Sequence, residues 1–223
     1  MKKFSLSSTG IKLVAILAMV IDHVGLLFFP HQLLWRVAGR IAFPLFAFLV
    51  AEGALRTSNV RAYLFRLLGF AIISQFAYIP FNGATGGILS PFNIFFTLSA
   101  GLLALILWKR LPRTISVPAI ILLCALADIL SFDYGAYGVL TVLISNLALQ
   151  RRKLGITALL LFPQAVTLLR FALGAISIQG YASMSVPLVA IYNGERGRKL
   201  PRHLFYWFYP VHLLVLASIW YLK

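Results

Sequence analysis

Apolar runs as long as a bilayer-crossing helix recur along nearly the whole chain, and short clusters of Lys and Arg separate them. One helical span needs about 20 mostly apolar residues. Spans are therefore expected at 10–30, 33–55, 61–80, 92–110, 116–132, 136–150, 154–173, 178–193 and 203–222. Several are short, and the sixth and eighth could be tilted, partial or re-entrant. Charged residues make up 11% of the chain and hydrophobic ones 61%, where a soluble chain carries about 25% charged residues. A chain of 223 residues has too little interior to hide that much apolar surface from water. Lipid must solvate much of it. The expectation is an all-α polytopic bundle of about nine spans, a single domain over 1–223, in the inner (cytoplasmic) membrane. The first run holds Lys12, Asp22 and His23 and lacks a small-residue cleavage site, so it reads as a permanent span.

The cations alternate along the chain. Lys2 and Lys3 precede the first span; Arg56, Arg61 and Arg66 follow the second; Lys109, Arg110 and Arg113 the fourth; Arg151, Arg152 and Lys153 the sixth; Arg196, Arg198, Lys199 and Arg202 the eighth. The connections between carry almost none. Cytoplasmic loops are enriched in Lys and Arg, so the N-terminus is expected inside and the C-terminus outside. The net charge of +15 then reads as a topology signal and an attraction to anionic lipid. It forms no stripe or arm suited to nucleic acid. One cysteine, Cys124, excludes an internal disulfide and a cysteine metal cluster. No HExxH, phosphate-binding loop or nucleophile elbow occurs, and no metal is expected.

Ionisable residues inside spans are costly and mark functional candidates. The first span carries Lys12, Asp22 and His23; His23 lies ~20 Å along the helix from Gly10. Arg36, Arg40 and Glu52 lie in the second span, which puts Arg40 at a depth similar to that of the Asp22–His23 pair. Asp22 cannot share a helix face with its neighbour His23, so it either polarises that histidine or forms an ion pair with Arg40 or Arg36. Asp128, Asp133, Tyr134, Asn93, Thr97 and Arg170 approach the outer side. Tyr209 and His212 are three apart and share a face of the last span.

Several segments resemble the TraX family: Ile11-Lys12-Leu13-Val14-Ala15 through Met19-Val20-Ile21-Asp22-His23, Ala38-Gly39-Arg40-Ile41-Ala42-Phe43-Pro44-Leu45-Phe46-Ala47, Ile73-Ser74-Gln75-Phe76-Ala77-Tyr78, Asn93-Ile94-Phe95, Asp133-Tyr134-Gly135, Gly138-Val139-Leu140 and Phe208-Tyr209-Pro210-Val211-His212-Leu213. The resemblance runs in order through nearly the whole chain. It implies an acetyltransferase, since the founding member acetylates the N-terminus of F-type pilin. The fold also resembles the wider group of membrane acyltransferases, in which a basic residue, ten intervening residues and a histidine occupy the first span. Lys12 and His23 fit that spacing. The resemblance thus implies His23 as base, Lys12 as a supporting cation and acetyl-CoA as donor, with a peptide, sugar or lipid acceptor. Arg196, Arg198 and Lys199 are expected to hold the donor's phosphates at the inner mouth. Asp22 would orient His23, and Arg40 or Asn93 would face the developing oxyanion. Asn93, Tyr209 and His212 are further donor-site candidates. A transporter or flippase for a small polar or lipid-linked substrate is the alternative, and a subunit of a secretion apparatus a third reading.

Overall fold

The computed structural model describes residues 5–198 and 201–223, with the backbone alone of Arg202. Among them the chain is all helix and connecting turn, apart from two isolated bridges, Leu6 with Tyr192 and Phe92 with Phe132. The helices are α1 (Ser8–Phe28), α2 (Leu33–Gly39), α3 (Ala42–Arg56), α4 (Val60–Ala84), α5 (Ile94–Arg110), α6 (Arg113–Ile129), α7 (Gly135–Gln150), α8 (Arg152–Ala172), α9 (Val186–Ala190) and α10 (Arg202–Tyr221). Among the described residues, five helical runs are long and apolar enough to cross a membrane: Ser8–Phe28, Leu33–Arg56, Val60–Ala84, Arg152–Ala172 and His203–Tyr221. α5, α6 and α7 are apolar but only 17, 17 and 16 residues long.

Two of the expected spans differ in detail. The run at 33–55 is two helices, because α2 stops at Gly39 and α3 restarts at Ala42. Pro44 sits in the first turn of α3, where its missing N–H has no intrahelical partner to lose. The run at 178–193 is not one continuous helix. It is a 3-10 turn, Gln179–Ser185, followed by the five-residue α9. Ser183 Oγ bonds back to the Gly180 carbonyl (2.8 Å) and Ser185 Oγ to that of Ala182 (2.7 Å). Such serine-to-backbone bonds compete with the helical ladder, and Pro187 supplies no donor to continue it.

The helices cluster into two compact units, Met1–Leu49 with Ile144–Leu200 and Val50–Leu143 with Pro201–Lys223. In the first, α1 buries Ile11, Ala15, Ala18, Asp22 and Gly25 at helical spacing. Ile11 and Ala15 join Leu45 and Phe48 of α3, Ala148 of α7, Leu159 of α8 and Val189 of α9 in one core. Gly155 lets the backbones of α7 and α8 touch, since a Cβ there would overlap Ala148. The 179–190 segment runs beside α8. Gln164 Nε2 donates to the Gly180 carbonyl (3.0 Å) and Ser183 Oγ (2.9 Å), and the Arg152 guanidinium donates to the carbonyls of Ala190 and Tyr192. Arg152 and Gln164 lie about 18 Å apart along α8. The segment therefore starts halfway along α8 and returns to its N-terminal end.

In the second unit α4 packs against both α10 and α5, and α5 packs against α6. Its core includes Ala100, Ala104, Ile120, Ala127 and Val139. Asp128 Oδ1 accepts the Ala136 N–H (2.7 Å) and so caps the start of α7. The turn leading in holds Ser131 and Tyr134 at φ of 53° and 66°. It is pinned by the Asp133 N–H on the Phe92 carbonyl (3.1 Å) and by Thr97 Oγ1 on the Asp133 carbonyl.

Candidate functional site

Four of the expected site residues lie on or beside α1 in the first unit. Lys12 and His23 are eleven residues apart, about three full turns, and so share one face of α1 with ~16 Å between them. Both are half-buried. Asp22 lies on the neighbouring, core-facing stripe and is 8% exposed. Its carboxylate binds two guanidiniums: Arg36 Nη1 donates to Oδ2 at 2.7 Å, and Arg40 Nη2 donates to Oδ2 at 3.1 Å and Oδ1 at 3.2 Å. Arg36 and Arg40 are four apart on α2 and its C-cap, hence on one face. Of the two readings left open for Asp22, the ion pair is present, and with both arginines at once.

Two glycines make this approach possible. A Cβ on Gly39 would overlap the Asp22 carboxyl, and one on Gly25 would overlap Trp35. Each helix thus presents a bare backbone where the other presents a bulky side chain. Trp35 in turn stacks on Phe29 (4.9 Å, 5°). Phe29 is the C-cap of α1.

The basic loop is tied to the opposite end of the same helix. Ser8 and Thr9 donate their backbone N–H groups to the carbonyls of Glu195 (2.8 Å) and Arg196 (3.1 Å). Thr9 Oγ1 lies within hydrogen-bond distance of the carbonyls of Arg196 (2.8 Å) and Arg198 (2.9 Å). The side chains of Arg196 and Arg198 are exposed. Because Arg152 holds the Ala190 and Tyr192 carbonyls, Arg151, Arg152 and Lys153 lie at this same end of the unit. Lys199 lies outside the described residues, as do Lys2 and Lys3.

The remaining candidates belong to the second unit. Asn93 is fully buried and caps α5: its Oδ1 accepts the Phe95 N–H (3.0 Å), and its Nδ2 donates to the Ala71 carbonyl (2.8 Å) and Gln75 Oε1 (2.7 Å). Both amide hydrogens join α5 to α4, and the oxygen caps α5. His212 Nδ1 lies 2.9 Å from the Phe208 carbonyl. A carbonyl only accepts, so Nδ1 carries the proton and the lone pair is on Nε2. Tyr209 is 5% exposed and meets Phe95 edge-on, with ring centroids 5.3 Å apart. Glu52 pairs with Arg56 at 2.8 Å within α3. Among the described residues no group of His, Cys, Asp and Glu could hold a metal ion.

Comparison with known proteins adds the following. The family model described as TraX protein matches residues 7–220. A probable fimbrial assembly protein FimC, serogroup H1, of Dichelobacter nodosus is 34% identical over 97% of this chain and 97% of its own. Two proteins named Protein TraX, from Escherichia coli and its strain K12, are 32% and 30% identical over 94% of this chain and 85% of theirs. No solved structure matches.

Proposed function

This chain belongs to the TraX family, and from that membership we propose that it is a membrane-embedded acetyltransferase that carries acetyl groups from cytoplasmic acetyl-CoA to a pilin-related acceptor at the outer side of the inner membrane. The name of the Dichelobacter relative supports a role in fimbrial assembly. The acceptor atom is an amine or hydroxyl of a peptide such as the pilin N-terminus, or of an extracytoplasmic sugar or lipid.

One observation carries the reading. Lys12 and His23 share a face of α1, and the first turn of that helix holds the loop bearing Arg196 and Arg198. The nucleotide phosphates bind the exposed guanidiniums of that loop, with Lys199 beside them in sequence. The pantetheine arm runs along α1 past Lys12, and the thioester reaches His23, about 21 Å from Thr9. Neutral His23 removes the proton from the acceptor as its nitrogen or oxygen attacks the thioester carbonyl. The tetrahedral oxyanion faces Arg40. Its collapse breaks the carbon–sulfur bond, and the departing thiolate takes the proton from His23. Asn93 fixes the start of α5.

Purified protein incubated with acetyl-CoA tests the reading, with release of free CoA thiol measured as acceptor is added. Thiol release that depends on acceptor and is lost in His23→Ala supports it. Absence of both donor binding and turnover would overturn it in favour of a transporter or flippase.

A further inference from the structure

In the 3-10 turn Gln179–Ser185, residues three apart lie on one face. Gly180 and Ser183 form the face bound by Gln164 of α8. Tyr181 and Met184 form an exposed face. Gln179, Ala182 and Ser185 form the third, which is buried. On that face Ser185 Oγ donates to the Ala182 carbonyl. Gln179 is 8% exposed, and among the described residues its Nε2 has no hydrogen-bond partner. Burying an amide donor without a partner is unfavourable, so such a group calls for a role. Its surroundings point to one. The turn packs against α2 as well as α8. α2 ends at a break in the helical path, Arg40–Ile41, beside Asp22. Gly180 is held by Gln164, about 18 Å along α8 from Arg152. Asp22 lies about 21 Å along α1 from Ser8, at the same end of the unit as Arg152. Two interruptions of regular helix therefore stand near the depth of His23, on elements of one unit that pack together. Non-helical backbone at membrane depth is tolerated where it is buried in protein or lines a cavity, and interrupted spans accompany substrate sites in membrane proteins.

We propose, given the transferase reading on which this rests, that Gln179 binds the acyl group: its Nε2 donates to the carbonyl oxygen of the donor's thioester. As the acceptor's nitrogen or oxygen bonds to the carbonyl carbon, the C=O π pair moves onto that oxygen. The amide N–H then holds the negative charge that forms there. On collapse the pair returns, the carbon–sulfur bond breaks, and the thiolate leaves with the proton that His23 took from the acceptor.

The test is infrared difference spectroscopy of purified protein in detergent, using acetyl-CoA labelled with carbon-13 at the thioester carbonyl and no acceptor. In the wild type the labelled carbonyl stretch should move to lower frequency on binding. Gln179→Met keeps the length of the side chain and removes the donor. It should lose the frequency shift and weaken acetyl-CoA binding about two- to tenfold. Its thermal midpoint should equal or exceed that of the wild type, because no bond within the protein is broken. Gln164→Met, which loses the bonds to Gly180 and Ser183, should lower the midpoint. An unshifted band in the wild type, an equal shift in Gln179→Met, or a midpoint that falls as far in Gln179→Met as in Gln164→Met would each overturn the proposal. Should Gln179→Met fail to fold, Gln179→Glu decides, since it keeps the shape and sets a carboxylate against the carbonyl oxygen. A lost shift there supports the proposal and a wild-type shift overturns it. An unshifted band in a wild type that still transfers acetyl groups discards Gln179 and leaves the transferase reading standing. A wild type that neither binds acetyl-CoA nor releases thiol removes both.

Discussion

Asp22 of α1 holds two guanidiniums of one α2 face at once, Arg36 at 2.7 Å and Arg40 at 3.1 Å. Removing the shared carboxylate takes that ion pair from both guanidiniums in a site with little water. Asp22→Ala is expected to destabilise the protein by about 3–5 kcal/mol, the usual penalty for breaking a buried ion pair from one side. Unfolding in detergent by added denaturant measures it. Arg170→Ala at the exposed end of α8 is the comparator and should shift stability by less than about 0.5 kcal/mol.

The close approach of α1 and α2 is testable with a single methyl group. Gly39→Ala puts a Cβ into the Asp22 carboxyl and should cost about 1–3 kcal/mol through forced displacement of the pair. Gly69→Ala, in α4, meets nothing within 4 Å. It should be neutral or stabilising by roughly 0.5–1 kcal/mol. Similar melting temperatures for the two variants would contradict the tight α1–α2 crossing.

The two imidazoles separate by activity. His23→Ala should lower acetyl transfer by about a hundred- to ten-thousand-fold while the protein still inserts into membranes at normal levels. His212→Ala should lose the bond to the Phe208 carbonyl and unfold more easily, yet keep most of its turnover. Transfer retained in the first variant and lost in the second would exchange their roles.

Labelling can place the basic end of the first unit. In a Cys124→Ser background, single cysteines at Arg151 and Arg196 should react with an impermeant maleimide only after the cytoplasmic side is opened. Opposite sidedness of the two would refute the return of residues 179–190 to the N-terminal end of α8.

Much of this arrangement was legible from residue type and spacing, and the exceptions have local causes. α1, α4 and α8 followed from run length, because Leu, Ile, Val and Phe continue without a competing local bond. The Asp22–arginine pairing was legible as one of two options, since both arginines return to the depth of Asp22. That Arg36 and Arg40 act together was signalled by their spacing of four, but the stop at Gly39 that orients them was not. Segment 178–193 is apolar enough to read as a span, and hydropathy does not register Ser183 and Ser185 bonding to nearby carbonyls, or Pro187 withholding a donor. Asn93 illustrates a different limit. A polar residue entering an apolar run reads as a site candidate, whereas its amide group joins α4 to α5 and its oxygen caps α5.

The main-chain bond from the Leu6 N–H to the Ile191 carbonyl (3.0 Å) has a consequence for biogenesis. α1 is made early, yet the partners of its first turn are translated some 185 residues later. At typical synthesis rates that is a wait of about ten to forty seconds. During it, α1 must sit in the bilayer with Asp22 already near Arg36 and Arg40, while its amino end still lacks its final cover. The nascent chain is thus exposed to premature proteolysis or misinsertion at one defined place, and ribosomal pausing before codon 191 would lengthen that exposure.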